Sequence, residues 1–250
     1  MKFNGPIVIS LAGVDPSAGA GIFADIKTFE QLKVYGMGVV TANTVQNESE
    51  VKQVKWLPVE DILAQLDVLL DKYTVDYFKV GIIENSEVFD AVKKHIKKRN
   101  PKAKIIWDPI LKSSSGFPFF KNSLSVENLL SDVFLITPNL PEFESLFANE
   151  EEAKKISSTC AIFLKGGHSK TKTGTDYLYH NGKKTEFAST NEIVYPKHGS
   201  GCVLSSAITA YLAKGYTLEE ASEKGKKYIE HYLASNPSLL GWHTKQEVTR

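Results

Sequence analysis

Cysteine is scarce in this chain: Cys160 and Cys202 lie far apart and form no CxxC pair. That excludes a zinc ribbon or a disulfide framework, and a reducing cytoplasm is the expected setting. Charge of one sign is also lacking, with 30 Lys and Arg against 29 Asp and Glu. No basic excess marks the chain for nucleic acid or a membrane surface. Long apolar runs are missing too. Ile7 to Val14 is cut off by Asp15-Pro16, too short and too soon broken for a signal peptide or a membrane span. No internal repeat or low-complexity linker divides the sequence. Nor is there a GxxxxGK(S/T) loop, since Gly182-Lys183 and Gly225-Lys226 are each followed by Lys, which excludes a P-loop nucleotide site.

What is present suits one large α/β domain spanning residues 1–250, with 42% hydrophobic content and enough chain to bury a core without staples. Short β-branched runs alternate with amphipathic stretches. Ile7 to Ala12 reads as a strand buried on both faces. Ile22, Ile26, Phe29 and Leu32 recur at helical spacing before Tyr35-Gly36. Met37 to Val45 is a second strand and Val59 to Tyr73 a helix. Tyr77 to Val80, Lys104 to Asp108, Val133 to Thr137 and Ala161 to Lys165 are further strands, and Ser86, as a cap, opens a helix to Arg99. Asn181-Gly182 predicts a hairpin turn between Tyr177–His180 and Lys184–Phe187. Cys202 to Lys214 and Thr217 to Leu233 are helices, the second opened by the capping box Thr217-x-x-Glu220. Strand–helix alternation predicts a mainly parallel central sheet with helices on both faces. Ligands then sit beyond the carboxyl ends of the strands, where the unusual residues of this sequence cluster.

His198-Gly199-Ser200-Gly201-Cys202 leads into an apolar helix. Glycines there admit a ligand close to the backbone, and free N–H groups at a helix start favour an anion. The same dipole should lower the pKa of Cys202, making it a candidate base. Taken alone, the segment reads better as a Gly-rich turn with Ser200 as its cap and Cys202 as a small core residue; its neighbours in the sequence decide for a site. Gly19-x-Gly21-x-x-Ala24 matches a relaxed dinucleotide fingerprint, but Asp15-Pro16-Ser17 intervenes after the strand and no acidic residue ends the second one. Asp25, one turn into the following helix, either faces a ligand or complements the helix dipole. Gln46 ends a strand with a carboxamide suited to an aminopyrimidine edge, although alone it reads better as a polar loop residue. Asn139 and Glu142, in Thr137-Pro138-Asn139-Leu140-Pro141-Glu142, either hold Mg²⁺ through water or open a helix. Asp108, at a strand end, is a turn cap or a metal-side carboxylate. Lys165, before Gly166-Gly167-His168, can bring an ammonium to a triphosphate. Cys160 reads as an inert buried thiol.

In this order the segments closely resemble the hydroxymethylpyrimidine/phosphomethylpyrimidine kinases of thiamin biosynthesis, a ribokinase-like family. The carriers run from Ala12-Gly13-Val14-Asp15-Pro16-Ser17-Ala18-Gly19-Ala20-Gly21 and Ala24-Asp25 through Val45-Gln46-Asn47, Lys79-Val80-Gly81 and Asp108-Pro109. They continue in Thr137–Glu142, Lys165–His168 and His198–Cys202. The resemblance implies a ribokinase-like three-layer fold, usually a homodimer, that uses ATP and Mg²⁺. It implies phosphorylation of 4-amino-5-hydroxymethyl-2-methylpyrimidine and then of its monophosphate. By position, Gln46 and Asp25 contact the substrate, and Gly13, Ile82 and Ile110 wall its pocket. Gly199, Ser200 and Gly201 form the anion hole, with Cys202 where sugar kinases of the superfamily carry an Asp base. Asn139, Glu142, Lys165 and Asp108 fall on the Mg–nucleotide side. Val14, Ile82 and Ser200 depart from the usual residues of the family. The nearest rival is a pyridoxal kinase, against which Gln46 discriminates. A rival of another class is a non-catalytic pyrimidine-binding protein, against which Cys202, Asn139, Glu142 and Lys165 together argue. A nicotinamide oxidoreductase ranks third.

Overall fold

A computed structural model describes residues 5–112, 119–121, 125–168, 174–189 and 194–243. Nine strands form one sheet in the order β3-β2-β1-β4-β5-β6-β7-β8-β9. The centre is parallel: β1 (Ile7–Val14), β2 (Tyr35–Gln46), β4 (Tyr77–Val80), β5 (Lys104–Trp107), β6 (Leu135–Ile136) and β7 (Ala161–Leu164) all run the same way. Antiparallel strands close both edges: β3 (Val51–Trp56) beside β2, then β8 (Asp176–His180) and β9 (Lys183–Phe187) beyond β7.

The pleat explains why the central strands are apolar throughout. In β1, Ile9 and Leu11 enter one core while Val8 enters the other. In β5, Ile105 and Trp107 face one side and Ile106 the other. One core is covered by α2 (Val59–Leu70), α3 (Ser86–Arg99), α4 (Val126–Leu130), α5 (Leu140–Leu146) and α6 (Glu150–Ile156). Opposite them lie α1 (Gly21–Gln31), α7 (Ser200–Ala213) and α8 (Leu218–Ala234). Each fully buried Ile, Leu or Phe contributes about 1.5–3 kcal/mol, so both layers are needed to cover a sheet that is apolar on both faces.

This is the expected α/β architecture, with local differences. The expected strands end within a residue or two of the observed ones, and Val133–Thr137 shortens to Leu135–Ile136. Strand β3 and the short helices α4, α5 and α6 escape periodicity. β3 reads Val-Lys-Gln-Val-Lys-Trp with much of its polar face exposed, and helices of five to seven residues are too short to show a 3.6-residue pattern. Ser86 is not the cap of α3. Asn85 caps it, accepting from the Val88 N–H, and Ser86 is the first helical residue. The Asn181-Gly182 turn has both residues at positive φ, 52° and 73°, as a two-residue hairpin requires. Thr217 and Glu220 form their capping box.

Candidate active site

The carboxyl ends of β1, β4, β5, β6 and β7 and the start of α7 meet along one edge of the sheet. Their approach depends on missing side chains. Gly199, the residue before α7, has φ 70°, a left-handed conformation that favours glycine. A Cβ there would stand 2.0 Å from the carbonyl oxygen of Gly19, so the β1–α1 loop and the helix start are pressed together backbone to backbone. A Cβ on Gly201 would stand 3.1 Å from Lys165 Nζ and 3.8 Å from Asp108 Oδ2. Gly199, Ser200 and Gly201 therefore open α7 toward a cation and a carboxylate. No side chain caps this helix. Ser200 is its first residue rather than its cap, and the first backbone N–H groups carry no capping side chain.

Lys165 follows β7, and its Nζ donates to Asp108 Oδ1 at 2.7 Å and lies 3.8 Å from Glu142 Oε2. Thr137 Oγ1 donates to the same Asp108 oxygen at 3.1 Å. Burial would push the Asp108 carboxyl up, but Lys165 and Lys79 outweigh it and hold the group below the usual range. Asp108 Oδ2 is buried and has no hydrogen-bond partner among the described residues.

A second charged cluster lies beneath the site. Asp25, fully buried, accepts from Lys79 Nζ at 2.9 and 3.0 Å, from Ser10 Oγ at 2.6 Å and from Ser206 Oγ at 2.7 Å. These partners come from β1, β4 and α7, so one carboxylate ties three elements to α1. Lys79 keeps its proton: burial opposes the charge, but the Asp25 carboxylate more than restores it. The expectation that Asp25 touches substrate is corrected here. Both of its oxygens are spent on internal donors, as a buried charge requires.

The expected depression of the Cys202 pKa is also corrected. The thiol is 5% exposed, and burial pushes it up to about 12, with Asp108 and Asp25 adding to the effect against Lys79. Two neighbouring carboxylates and a dry environment defeat the helix dipole. Cys160 is pushed to about 12 by burial as well, as expected of an inert thiol. Asn139 and Glu142 form a capping box at the start of α5: Asn139 Oδ1 accepts from the Glu142 N–H at 2.9 Å, and Glu142 Oε2 from the Asn139 N–H at 2.7 Å. The helix-start reading of this pair is what the structure contains, and the cap takes one of the two lone pairs of Asn139 Oδ1. Glu142 remains beside Lys165, its carboxyl pushed up by burial although Lys165 opposes the shift. Among the described residues no group of three or more His, Cys, Asp or Glu is placed to hold a metal directly.

On the other side, Ile82 packs over Gly13, where a Cβ would come within 2.4 Å of its Cδ1. Ile110 lies two residues beyond Asp108 and donates its N–H to the Asp108 carbonyl at 2.8 Å. Gln46 comes from the neighbouring strand. It stands at the far end of β2, three residues past the last pairing with β1, in a shallow groove with Val45, Asn47, Glu50 and Lys52. The segment Lys112 to Pro118, of which the sequence says nothing about closure over the site, falls mostly outside the described residues. A cavity of about 280 Å³, lined by Gln31, Tyr211, Tyr228 and Trp242, lies at the other ends of α1 and α7, away from these groups.

Asp15 and His198 form a pair that no local sequence pattern announces. His198 Nε2 lies 2.8 Å from Asp15 Oδ2, and the same carboxylate accepts from the N–H groups of Ser17 and Ala20 and from Ser17 Oγ. A contact between residues 183 positions apart leaves no local signal; only the lone His beside the glycines could have suggested it.

Residues 15–247 match the family described as Phosphomethylpyrimidine kinase. A hydroxymethylpyrimidine/phosphomethylpyrimidine kinase of Aquifex aeolicus is 32% identical over 247 residues, covering 93% of this chain and 96% of the relative. The crystal structure of a phosphomethylpyrimidine kinase from Clostridium difficile superposes with a TM-score of 0.73 at 32% identity, over 90% of this chain and 97% of that one. A Bacillus subtilis pyridoxal kinase, solved as an ADP complex, gives 0.77 at 29% identity over 92% of each chain.

Proposed function

The chain belongs to the phosphomethylpyrimidine kinase family, and from that premise we propose that its strand-end site carries the γ-phosphoryl group of ATP to the hydroxymethyl oxygen of 4-amino-5-hydroxymethyl-2-methylpyrimidine, then to the monophosphate so formed. It is a kinase of thiamin biosynthesis with the ribokinase-like fold. The observation that supports the site assignment best is the uncapped, glycine-opened start of α7 facing Lys165 and Asp108.

Phosphoryl transfer asks a protein chiefly to position groups and stabilise charge. The N–H groups of Gly199, Ser200 and Gly201 receive phosphate oxygens at a helix start, where the dipole favours negative charge. Lys165, 13% exposed and held protonated by Asp108 and Glu142 against burial, adds a fixed cation that needs no reorganisation. Mg²⁺, when bound with the nucleotide, neutralises phosphate charge. Asn139 and Glu142 would hold it through water, the cap taking one lone pair of Asn139 Oδ1 and one oxygen of Glu142. Gly13, Ile82 and Ile110 wall the acceptor pocket, and Gln46 reads the aminopyrimidine edge across it. The protein works as one kinase domain on one sheet, as a homodimer in the cytoplasm. In support, both cysteines are free and buried, and no described helix is long and apolar enough to cross a membrane.

A coupled ADP-release assay across hydroxymethylpyrimidine, its monophosphate and pyridoxal tests the reading. The expected result is the highest kcat/KM for hydroxymethylpyrimidine, with turnover of its monophosphate. A clear preference for pyridoxal would overturn the choice of substrate.

A further inference from the structure

From the close contact between the β1–α1 loop and the start of α7, we infer that Asp15 and His198 form a positioning tether that sets the distance between the acceptor pocket and the anion hole. The inference rests on the phosphoryl-transfer reading above and assigns a role to a pair that this reading does not use.

The two parts to be held in register come from opposite ends of the chain: Gly13 at the end of β1, and Gly199 to Gly201 at the start of α7. A run of backbone contacts joins them. A Cβ on Gly21 would stand 2.2 Å from the Gly13 carbonyl oxygen, and one on Gly199 2.0 Å from the Gly19 carbonyl oxygen. Such contacts work in one direction. Repulsion stops two backbones from closing further but does little to stop them separating. A hydrogen bond resists separation, and one spans this gap. His198 Nε2 faces a carboxylate, so it carries the hydrogen and donates to Asp15 Oδ2 at 2.8 Å.

Both ends of the tether are anchored. Buried Asp15 accepts from the Ser17 N–H at 2.9 Å, the Ala20 N–H at 2.8 Å and Ser17 Oγ at 2.8 Å, so its carboxylate holds the turn from residue 15 to residue 20 in one shape. On the other side, the His198 N–H donates to the Leu239 carbonyl at 2.9 Å, and Lys197 Nζ donates to the Ser238 carbonyl at 2.6 Å. The residues before α7 are thereby fastened to the chain that follows α8. The imidazole lies against Gly19, where a Cβ would come within 2.7 Å of His198 Cδ2. Because the anion-hole side has backbone anchors of its own, losing the ring's hydrogen bond frees the loop rather than the helix start.

The consequence is selective. Transfer to a pyrimidine methanol needs acceptor and phosphate held at reacting distance, and a misplacement of about 1 Å costs about 10²-fold. Transfer to water, which takes the γ-phosphoryl group and releases inorganic phosphate and ADP, needs the nucleotide site but no acceptor wall. A loosened tether therefore slows transfer to the pyrimidine and leaves the slow hydrolysis of ATP in place. More ADP is then released for each pyrimidine phosphate formed.

The test compares His198→Ala, His198→Gln and His198→Asn in the full chain with hydroxymethylpyrimidine, ATP and Mg²⁺. ADP and pyrimidine phosphate are measured separately, and thermal melting checks folding. His198→Ala is expected to lower kcat/KM for hydroxymethylpyrimidine roughly 10- to 100-fold. Its KM for ATP and its acceptor-free hydrolysis rate should stay within about threefold of wild type. His198→Gln, whose carboxamide nitrogen reaches toward Asp15 as Nε2 does, should keep transfer within about threefold, whereas His198→Asn, one carbon shorter, should behave as His198→Ala. If His198→Ala does not fold, the contrast between the two carboxamides carries the test. Near-normal transfer in folded His198→Ala or His198→Asn would overturn the assignment, as would an equal loss of transfer and hydrolysis, or a folded His198→Gln protein as impaired as His198→Asn. Failure of the wild-type enzyme to phosphorylate any hydroxymethyl acceptor would instead strike the kinase reading.

Discussion

Two of the protein's buried Lys–Asp pairs lie at or beneath the strand-end site, and they are finished to different degrees. In Lys79–Asp25 both side chains are fully enclosed, and the carboxylate accepts from the lysine and two serines. In Lys165–Asp108 the lysine is 13% exposed and one carboxylate oxygen has no partner. The same pair of residue types thus serves two ends. A fully satisfied pair fixes elements in register, as the contacts from β1, β4 and α7 to Asp25 do. An unfinished pair at a glycine-lined opening is held ready for charge that arrives with a ligand.

Substitutions separate the two. The largest effect is expected for Lys165→Met, which should lower kcat on the order of 10²–10³-fold, the typical worth of one charge-stabilising donor. Its thermal stability should fall far less in proportion, and steady-state kinetics beside a melting curve would show the split. An intact kcat in a folded Lys165→Met protein would dissolve the distinction between the pairs.

Next comes Asp25→Ala, which leaves Lys79 as an uncompensated buried charge and should cost about 3–5 kcal/mol of stability. The double variant Asp25→Leu with Lys79→Met should recover much of that in urea unfolding, because it removes both charges together. If the double variant is as unstable as the single one, the pair is not the structural staple described.

The smallest effect concerns Asp15. Burial would raise its pKa, but hydrogen bonds from His198, Ser17 and Ala20 prevail and lower it. A depressed folded-state pKa contributes stability that is present above the unfolded value of about 3.9 and is lost as pH falls through the folded one. Asp15→Asn should therefore flatten the acid limb of the stability curve below about pH 4. An unchanged acid limb would remove Asp15 from the list of groups that tie the β1–α1 loop to α7.

The two clusters were unequally visible beforehand. Lys165, Asp108 and the Gly199–Cys202 segment stand out because each follows an apolar strand run and carries a residue that such a run does not need. Their convergence at the strand ends follows from the parallel topology. Lys79 was noticed only within a shared motif, since a lysine inside a strand has no local reason to be buried. Asp25 was misassigned because the first turn of a helix after a Gly-rich loop is where ligands are usually met. Nothing nearby in sequence announces that Ser10, Lys79 and Ser206 already occupy its oxygens.

By itself, then, the amino-acid order determined the alternation of strands and helices, the parallel centre and its closing hairpin, and the family, because periodicity, turn chemistry and ordered motifs are local properties. Tertiary structure alone decided protonation and availability: that Cys202 is a neutral thiol, that Asn139 is a cap, that Asp25 is closed and that Asp108 keeps one oxygen open. The physical reason is that a pKa and a free lone pair depend on burial and on partners far away in the chain, which come together only when the sheet is folded.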